Sequence, residues 1–387
     1  MSLSTPPPLS LYVHIPWCVR KCPYCDFNSH AANGELPEAL YIERLLVDFE
    51  AEVSQSYGRP LQSIFIGGGT PSLFSAGAIA DLLDGINRLA TLAEDVEITL
   101  EANPGTWEQE RFSAYRAAGV NRLSLGVQSF NDGSLKQLGR IHDSSQAHLA
   151  IAAARKAGFD NLNIDLMHGL PNQTRQQAID DLETALDYAP WHLSWYQLTI
   201  EPNTEFYSRP PVLPNDDSLA DIEMAGMDIL SQQGLHQYEV SAYAKEGKAS
   251  QHNLNYWQFG DYFGIGAGAH GKLSHPDGKI ERRWKTRAPK DYLSRDTKLM
   301  AGNKILAEED LALEFLMNAL RLKQGVADTL LAERTGIELD SIKHTRAELI
   351  KDGLLQNGTQ LATTELGYRF LDSVLGRFNN KILALSK

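Results

Sequence analysis

Three cysteines, Cys18, Cys22 and Cys25, stand within eight residues of one another in YVHIPWCVRKCPYCDF, directly after an apolar, β-rich run. They are the only cysteines among 387 residues. An odd count leaves no complete internal disulfide framework, and clustered thiols in a reducing compartment are more often metal ligands than disulfides. That reading places the chain in the cytoplasm. Zinc would need a fourth ligand, for which His14 or His30 is at hand, yet zinc sites usually pair C-x2-C knuckles and the spacing here is C-x3-C-x2-C. Three thiolates on one short loop suit three irons of a cubane [4Fe-4S] cluster, with the fourth iron open to an external ligand.

Such a loop needs a rigid scaffold, and the flanking pattern supplies one. LSLYVHIP reads as a strand, followed by a helix from Pro37 to about Ser56. SIFIGGG, VEITLEANP, NRLSLGVQS, NLNIDLMHGLP and HLSWYQLTI read as five more strands. The helices between them are expected near Ala76–Leu89, around Trp107–Ala118, up to Ala157, and after Thr174, with Gln177 placed to complete a capping box. Strands apolar on both alternations suit burial on both faces, and the βαβα order demands a parallel sheet. The expected fold is α/β, a partial (β/α)6 barrel whose strand ends share one rim where chemistry is built.

After about Leu306 the pattern turns to helix, helix, hairpin (at Asn357-Gly358) and helix, the outline of an α+β winged-helix-like module. The expected division is a barrel over residues 1–235, a connecting segment over 236–300 and the C-terminal module over 301–387. A net charge of −13 opposes binding to nucleic acid, which favours a packing or lid role for that module. The start MSLSTPPPLS lacks a basic region and a long apolar core, so no secretory signal is expected there. No apolar run reaches the roughly 18 residues of a membrane span.

The cysteine loop after a first strand, with GGGTP after the second, resembles the radical S-adenosylmethionine (SAM) superfamily. In that superfamily the open iron takes the amino and carboxylate groups of SAM, and an electron from the cluster cleaves SAM to a 5'-deoxyadenosyl radical. Further stretches, EANPGT, GVQSF, LGRIH, LTIEPNT and HNLNYW among them, resemble the branch that holds oxygen-independent coproporphyrinogen III oxidase and the HemW-type heme chaperones, and are most similar to the latter. The resemblance implies that Cys18, Cys22 and Cys25 hold the cluster and that Tyr12 and Tyr24 line its SAM end. It implies that Gly68, Gly69 and Thr70 let the methionine part of SAM approach the backbone, where a β-carbon would clash. It also implies that Glu101, Gln128, Arg140 and Asp165 bind the rest of SAM.

Two departures separate the chain from the decarboxylating oxidase. The oxidase carries a further cysteine two residues after the third, where this chain has Phe27, and its longer N-terminal extension exceeds the 17 residues that precede Cys18 here. In its place stands HNLNYWQFGDYFGIGAGAH, residues 252–270, with His252 and Asn253 among aromatic side chains. An imidazole can ligate heme iron and aromatic faces can cover the macrocycle. The resemblance implies that His252 helps to hold heme; His14, His142, His168 and His270, on the same rim or nearby, are competing ligands. Gly264, Gly266 and Gly268 would allow close backbone packing against a flat ligand or against the cysteine loop.

Three functions follow. The first is a heme carrier that supplies respiratory hemoproteins. By the same resemblance it would draw on a low-potential donor such as flavodoxin and meet membrane proteins peripherally. The second is a SAM-dependent radical enzyme on a porphyrin-like substrate. The third is a zinc protein with a nucleic-acid-binding winged helix.

Overall fold

The computed structural model describes residues 6–385, leaving aside the side chains of 106–110 and 380–385. The side chain of Thr106 in EANPGT lies among the latter. Six strands, β1 (Leu9–Ile15), β2 (Leu61–Gly68), β3 (Leu92–Ala102), β4 (Arg122–Gln128), β5 (Leu162–His168) and β6 (His192–Gln197), run parallel in chain order across one sheet. Their core positions, such as Leu11, Val13, Ile64, Leu100, Leu125 and Ile164, are fully buried. Helices α1 (Glu38–Val53), α2 (Ala76–Leu89), α3 (Thr106–Ala117), α4 (Asp132–Gln137), α5 (Ser144–Lys156) and α6 (Arg175–Leu186) fill the connections. The capping box expected at the start of α6 is present, with Thr174 and Gln177 each bonding the other's backbone N–H. Ser75 caps α2 and is itself held by Glu38 at the start of α1, so neighbouring helices are tied at their entry points.

Two local expectations change. Asn131 caps α4 and Asp143 caps α5, so the helical stretch before Ala157 is broken in two at Gly139, whose φ of 68° is left-handed. The break turns the following Arg140 inward. Within the stretch expected as a connecting segment there is regular structure: after α7 (Asp216–Gln232), Gln251–Trp257 forms a helix, α8.

The chain between the six strands and the C-terminal helices builds both edges of the sheet. Strands β7 (His236–Glu239) and β8 (Ala242–Ala244) extend it beyond β6, antiparallel. On the other side β9 (Asp261–Ile265) pairs parallel to β1, and β10 (His270–Ser274), β11 (Ile280–Lys285) and β12 (Met300–Ile305) follow antiparallel. The sheet therefore has twelve strands in the order β12-β11-β10-β9-β1-β2-β3-β4-β5-β6-β8-β7, and its two edges do not meet. The barrel is open.

The added strands are polar in sequence because their burial is electrostatic. Lys285 of β11 reaches Asp48 at 2.6 Å and Glu52 at 2.5 Å on α1, and Arg283 reaches Glu52 at 2.6 Å. Asp48 also accepts hydrogen bonds from Tyr292 Oη (2.8 Å) and Gly266 N (3.2 Å). Removing one partner from such a group strands the other's charge away from water, which costs more than the pair itself contributes.

The C-terminal helices α9 (Glu308–Ala319), α10 (Thr329–Thr335), α11 (Lys343–Lys351) and α12 (Leu371–Leu385) surround a second apolar core that includes Phe315, Leu331, Leu349 and Phe378. Val326–Ala327 pairs antiparallel with Gln360–Leu361, with Gly358 in the tip between Leu355 and Thr363. Phe259, in the turn between α8 and β9, and Ile280 of β11 enter this core and fasten the module to the main sheet.

Replacing Asp48 by Ala should lower stability by about 3 kcal/mol, because Lys285 keeps only Glu52 while Tyr292 and Gly266 lose an acceptor. Denaturant unfolding measures this. A loss under about 1 kcal/mol would show that the cluster behaves as an exposed ion pair instead.

Candidate functional site

The cysteine loop leaves the end of β1 and is gripped from both sides. On one side Gly69 N donates to Ile15 O (2.8 Å) and Thr70 N to Trp17 O (2.7 Å). On the other, Asn28 Nδ2 donates to Ala267 O and Arg287 O, each at 2.9 Å. Trp17, next to Cys18, packs between Tyr41 and Phe74 in the core. A turn closed by Cys25 N to Cys22 O (3.1 Å) then brings the thiols round one space.

That space is a cavity of about 150 Å3, and all three cysteines line it. Tyr24, Gly68, Gly69 and Thr70 line it as well, as do Glu101, Gln128, Arg140 and Asp165. These residues, up to 147 positions apart in the sequence between Cys18 and Asp165, are thus brought together toward the carboxyl ends of β1 to β5. Tyr12 is the exception. Its hydroxyl bonds His14 Nδ1 at 2.7 Å and its ring faces a different cavity.

The glycines are required by the chain's own packing as well. A β-carbon on Gly68, whose φ is 113°, would meet the His14 ring at 2.4 Å, and one on Gly69 would meet Trp17 O at 2.5 Å. The close approach is to the protein's own cysteine strand. Gly266 and Gly268 repeat the pattern, since β-carbons there would meet His14 O and Asn28 Nδ2, each at 2.3 Å.

The polar groups of the cavity are bonded in several separate groups. Arg140 donates to Gly126 O (2.7 Å), to Asn103 Oδ1 and to Cys22 Sγ (3.6 Å), while its buried Nε has no partner among the described residues. Asn103 donates to Thr70 Oγ1 (2.9 Å), and Thr70 bonds the Cys18 thiol. Glu101 accepts from Gly68 N at 2.9 Å. Asp165 accepts from Ser124 Oγ (2.9 Å) and Asn163 Nδ2 (2.7 Å). Gln128, at a left-handed φ of 71°, accepts from Tyr196 Oη (2.8 Å). A non-glycine residue held there marks a position fixed by its surroundings. Asn103, Ser124, Asn163 and Tyr196 were not singled out by sequence, although each stands at or near a strand end.

This chemistry fits a cluster and SAM. Among the described residues no three His, Cys, Asp or Glu side chains converge as ligands of a single ion. The thiols instead surround a shared space, as separate irons of a cubane require. An unpartnered guanidinium nitrogen suits a carboxylate, and two carboxyls suit ribose hydroxyls or an ammonium group. Burial pushes the Cys18 thiol up, with the Thr70 bond opposing, so the thiolate form there needs the positive charge of a metal centre.

A larger cavity of about 620 Å3 adjoins the first. Tyr12, Phe65, Tyr256, Tyr262 and Trp284 give it aromatic walls, with His14 and His270 among the lining residues and Asn318 reaching it from α9. Phe27 lines both cavities, with 62% of its surface exposed. His252 is not part of these walls. It is 7% exposed, stacks on Phe65 at 4.2 Å and 7°, and bonds Glu97 Oε1 through Nδ1 at 2.9 Å. Burial lowers the pKa of the imidazole against the opposing pull of Glu97, and bonds from His252 and the backbone outweigh burial at Glu97 to hold its carboxyl at about 2. The carboxylate sets the tautomer as it does for metal-bound histidines, but the ring lies behind Phe65. Of the other candidates, His14 has both nitrogens bonded, to Tyr12 Oη and Asn28 O. His142 bonds Val127 O, and His168 packs on Trp195 away from the aromatic cavity.

Comparison with known proteins places this geometry. The radical SAM superfamily matches residues 12–185, and the HemN C-terminal domain matches residues 306–370. The chain is 51% identical to the heme chaperone HemW of Escherichia coli over 373 residues, covering 96% of this chain and 98% of that one. The chain belongs to the HemW family of radical SAM proteins. The Haemophilus influenzae heme chaperone HemW is 50% identical over 377 residues and that of Bacillus subtilis 35% over 380, each covering at least 95% of this chain and 98% of the relative. In fold the chain is similar to coproporphyrinogen III oxidase (HemN) of Escherichia coli, with a TM-score of 0.81, 23% identity, and 96% and 90% of the two chains covered. Membership of the radical SAM superfamily implies a [4Fe-4S] cluster and SAM as its cofactors.

Burial and the neighbouring Asp165 push the Glu101 carboxyl from its ordinary 4.5 up to about 7. A raised value means that its contribution to stability is fully present below pH 4.5 and is lost as pH rises through 7. Glu101→Gln removes the charge and keeps an acceptor for Gly68 N. In the ligand-free protein it should raise the unfolding midpoint at pH 8, by about 2 °C per kcal/mol relieved, and leave it nearly unchanged at pH 4.5. Thermal scans at the two pH values check this, and an equal effect at both would refute the assignment.

Proposed function

We propose that the chain is a heme chaperone. In this reading it holds a [4Fe-4S] cluster on Cys18, Cys22 and Cys25, SAM among Tyr24, Gly68, Gly69, Thr70, Glu101, Gln128, Arg140 and Asp165, and heme in the aromatic cavity. The observation that carries this reading is the adjacency of the two spaces across Phe27. One is built from thiols and paired polar groups. The other has the size and apolar lining of a cofactor site. The bound cluster would supply a low-potential electron to SAM. The chain's own part would be to orient SAM through Arg140 and the two carboxyls, and to present a flat apolar wall beside it.

Helix α8 connects HNLNYW to heme. Tyr256 and Trp257 line the aromatic cavity, while His252 fixes the helix by its bond to Glu97 on β3. Asn253 supports the arrangement by donating to Tyr238 Oη rather than to the His252 ring. His252 thus helps to hold heme by setting the wall against which the macrocycle lies.

A chaperone for heme needs proteins that receive it, and the reading takes these to be respiratory hemoproteins, with a low-potential donor such as flavodoxin serving the cluster. Recipients of that kind bring peripheral contact with membrane proteins. Among the described residues no helix is long and apolar enough to cross a membrane. A cytoplasmic location agrees with three unpaired thiols. Phe27 in place of a fourth cysteine argues against the alternative, a porphyrinogen-decarboxylating radical enzyme.

Anaerobic reconstitution should give about four irons and four sulfides per chain. Cys22→Ala should abolish the cluster while the far-ultraviolet circular dichroism stays that of the wild type, because the loop lies at the rim. Stoichiometric zinc without iron would overturn the cluster assignment. In the same preparation heme should titrate to one equivalent, and coproporphyrinogen with SAM and a reductant should remain unconverted. Conversion would favour the radical enzyme.

A further inference from the structure

Within the aromatic cavity one imidazole stands apart from the others. His270 opens β10, is exposed, and has no hydrogen-bond partner on either ring nitrogen among the described residues. It lies opposite Trp284, and the next residue pair on the same face is Lys272 and Arg282. Tyr262 lies opposite Lys272, so strand alternation puts Tyr262, His270, Arg282 and Trp284 on one floor. Gly264 allows this floor to close, since a β-carbon there would meet His270 O at 1.9 Å.

The cations around the floor divide into two sorts. Lys272 is buried and neutralised by Asp261 at 2.9 Å. Arg287 is exposed, and its one side-chain contact here is from Nε to Asn28 Oδ1 at 3.3 Å. Arg282 pairs with Glu314 of α9 and keeps a weak bond to Tyr262 Oη. Arg287 can therefore take an incoming carboxylate at the rim without losing an ion pair.

We infer that His270 is the axial ligand to the iron of a metalloporphyrin bound in this cavity, with Arg287 receiving a propionate. The inference rests on the heme-carrier reading and names a contact that the HNLNYW motif does not supply. A neutral imidazole is the form that can donate to iron. Partial desolvation of the ring against the cavity wall, reinforced by Arg282, lowers the pKa of His270 and so favours that form. The competing rings are less well placed: His14 is saturated with hydrogen bonds, and His252 is screened by Phe65.

The test titrates wild type, His270→Ala and His252→Ala, each with heme and with metal-free protoporphyrin IX. His270→Ala should shift the Soret band and weaken heme binding by about tenfold or more, since losing a ligand costs at least as much as losing its outer partner. Its affinity for protoporphyrin IX should stay within about twofold, as for a surface substitution. His252→Ala should keep the wild-type axial-ligand signature. If His270→Ala keeps the heme spectrum and affinity while the wild type binds heme, the ligand assignment is wrong and the carrier reading stands. Equal weakening toward both porphyrins, or loss of the imidazole signature in His252→Ala alone, also overturns it. If the wild type binds no heme, both readings fall.

Discussion

Because β1 runs between two parallel neighbours, the loop at its carboxyl end must lie between theirs. β2 delivers GGGTP on one flank and β9 delivers GIGAGAH on the other. Each flank approaches so closely that a β-carbon would strike His14 or its neighbours. The positions of the three thiols follow from this grip. So does the division of space around them, since the same loop closes a polar cavity on the β2 side and, through Phe27, borders an aromatic one on the β9 side.

The grip is maintained from behind by charge. Asp48 on α1 bonds both Lys285 of β11 and the backbone of Gly266, so a helix from the first unit anchors strands that arrive more than 200 residues later. Buried ion pairs are weak contributors to net stability, but they are selective about which strand may dock. Here they commit the outer face of the added strands to α1. Their inner face is left to Tyr262, His270 and Trp284. The electrostatic face and the aromatic face are two sides of one pleat.

Much of this was legible in the sequence, and what escaped did so for identifiable reasons. The six parallel strands announced themselves because burial on both faces leaves long apolar runs such as SIFI and LSLGV. The box at Thr174 and Gln177 is local and needs no tertiary information. β9 to β12 were hidden because Lys272, Arg283 and Lys285 look like solvent-facing residues until their distant carboxylates are known. The helix that holds HNLNYW escapes the sequence because seven residues give too little periodicity to declare one. Motif resemblance drew attention to His252, but only the register of β10 against β11 shows which imidazole faces the open space. Asn103 stood within a quoted motif, yet its bonds to both Arg140 and Thr70 depend on three separate strand ends meeting.

The order of the sheet also imposes an order in time. β1 and β2 can pair once the first 70 residues exist, whereas β9 lies roughly 200 residues further along the chain. At synthesis rates of about 5–20 residues per second, the interval is on the order of ten to forty seconds. Until it ends, the β9 flank of the thiol-bearing loop does not exist. The topology thus gives the nascent chain a period in which iron and sulfide could reach the cysteines from the side that later closes.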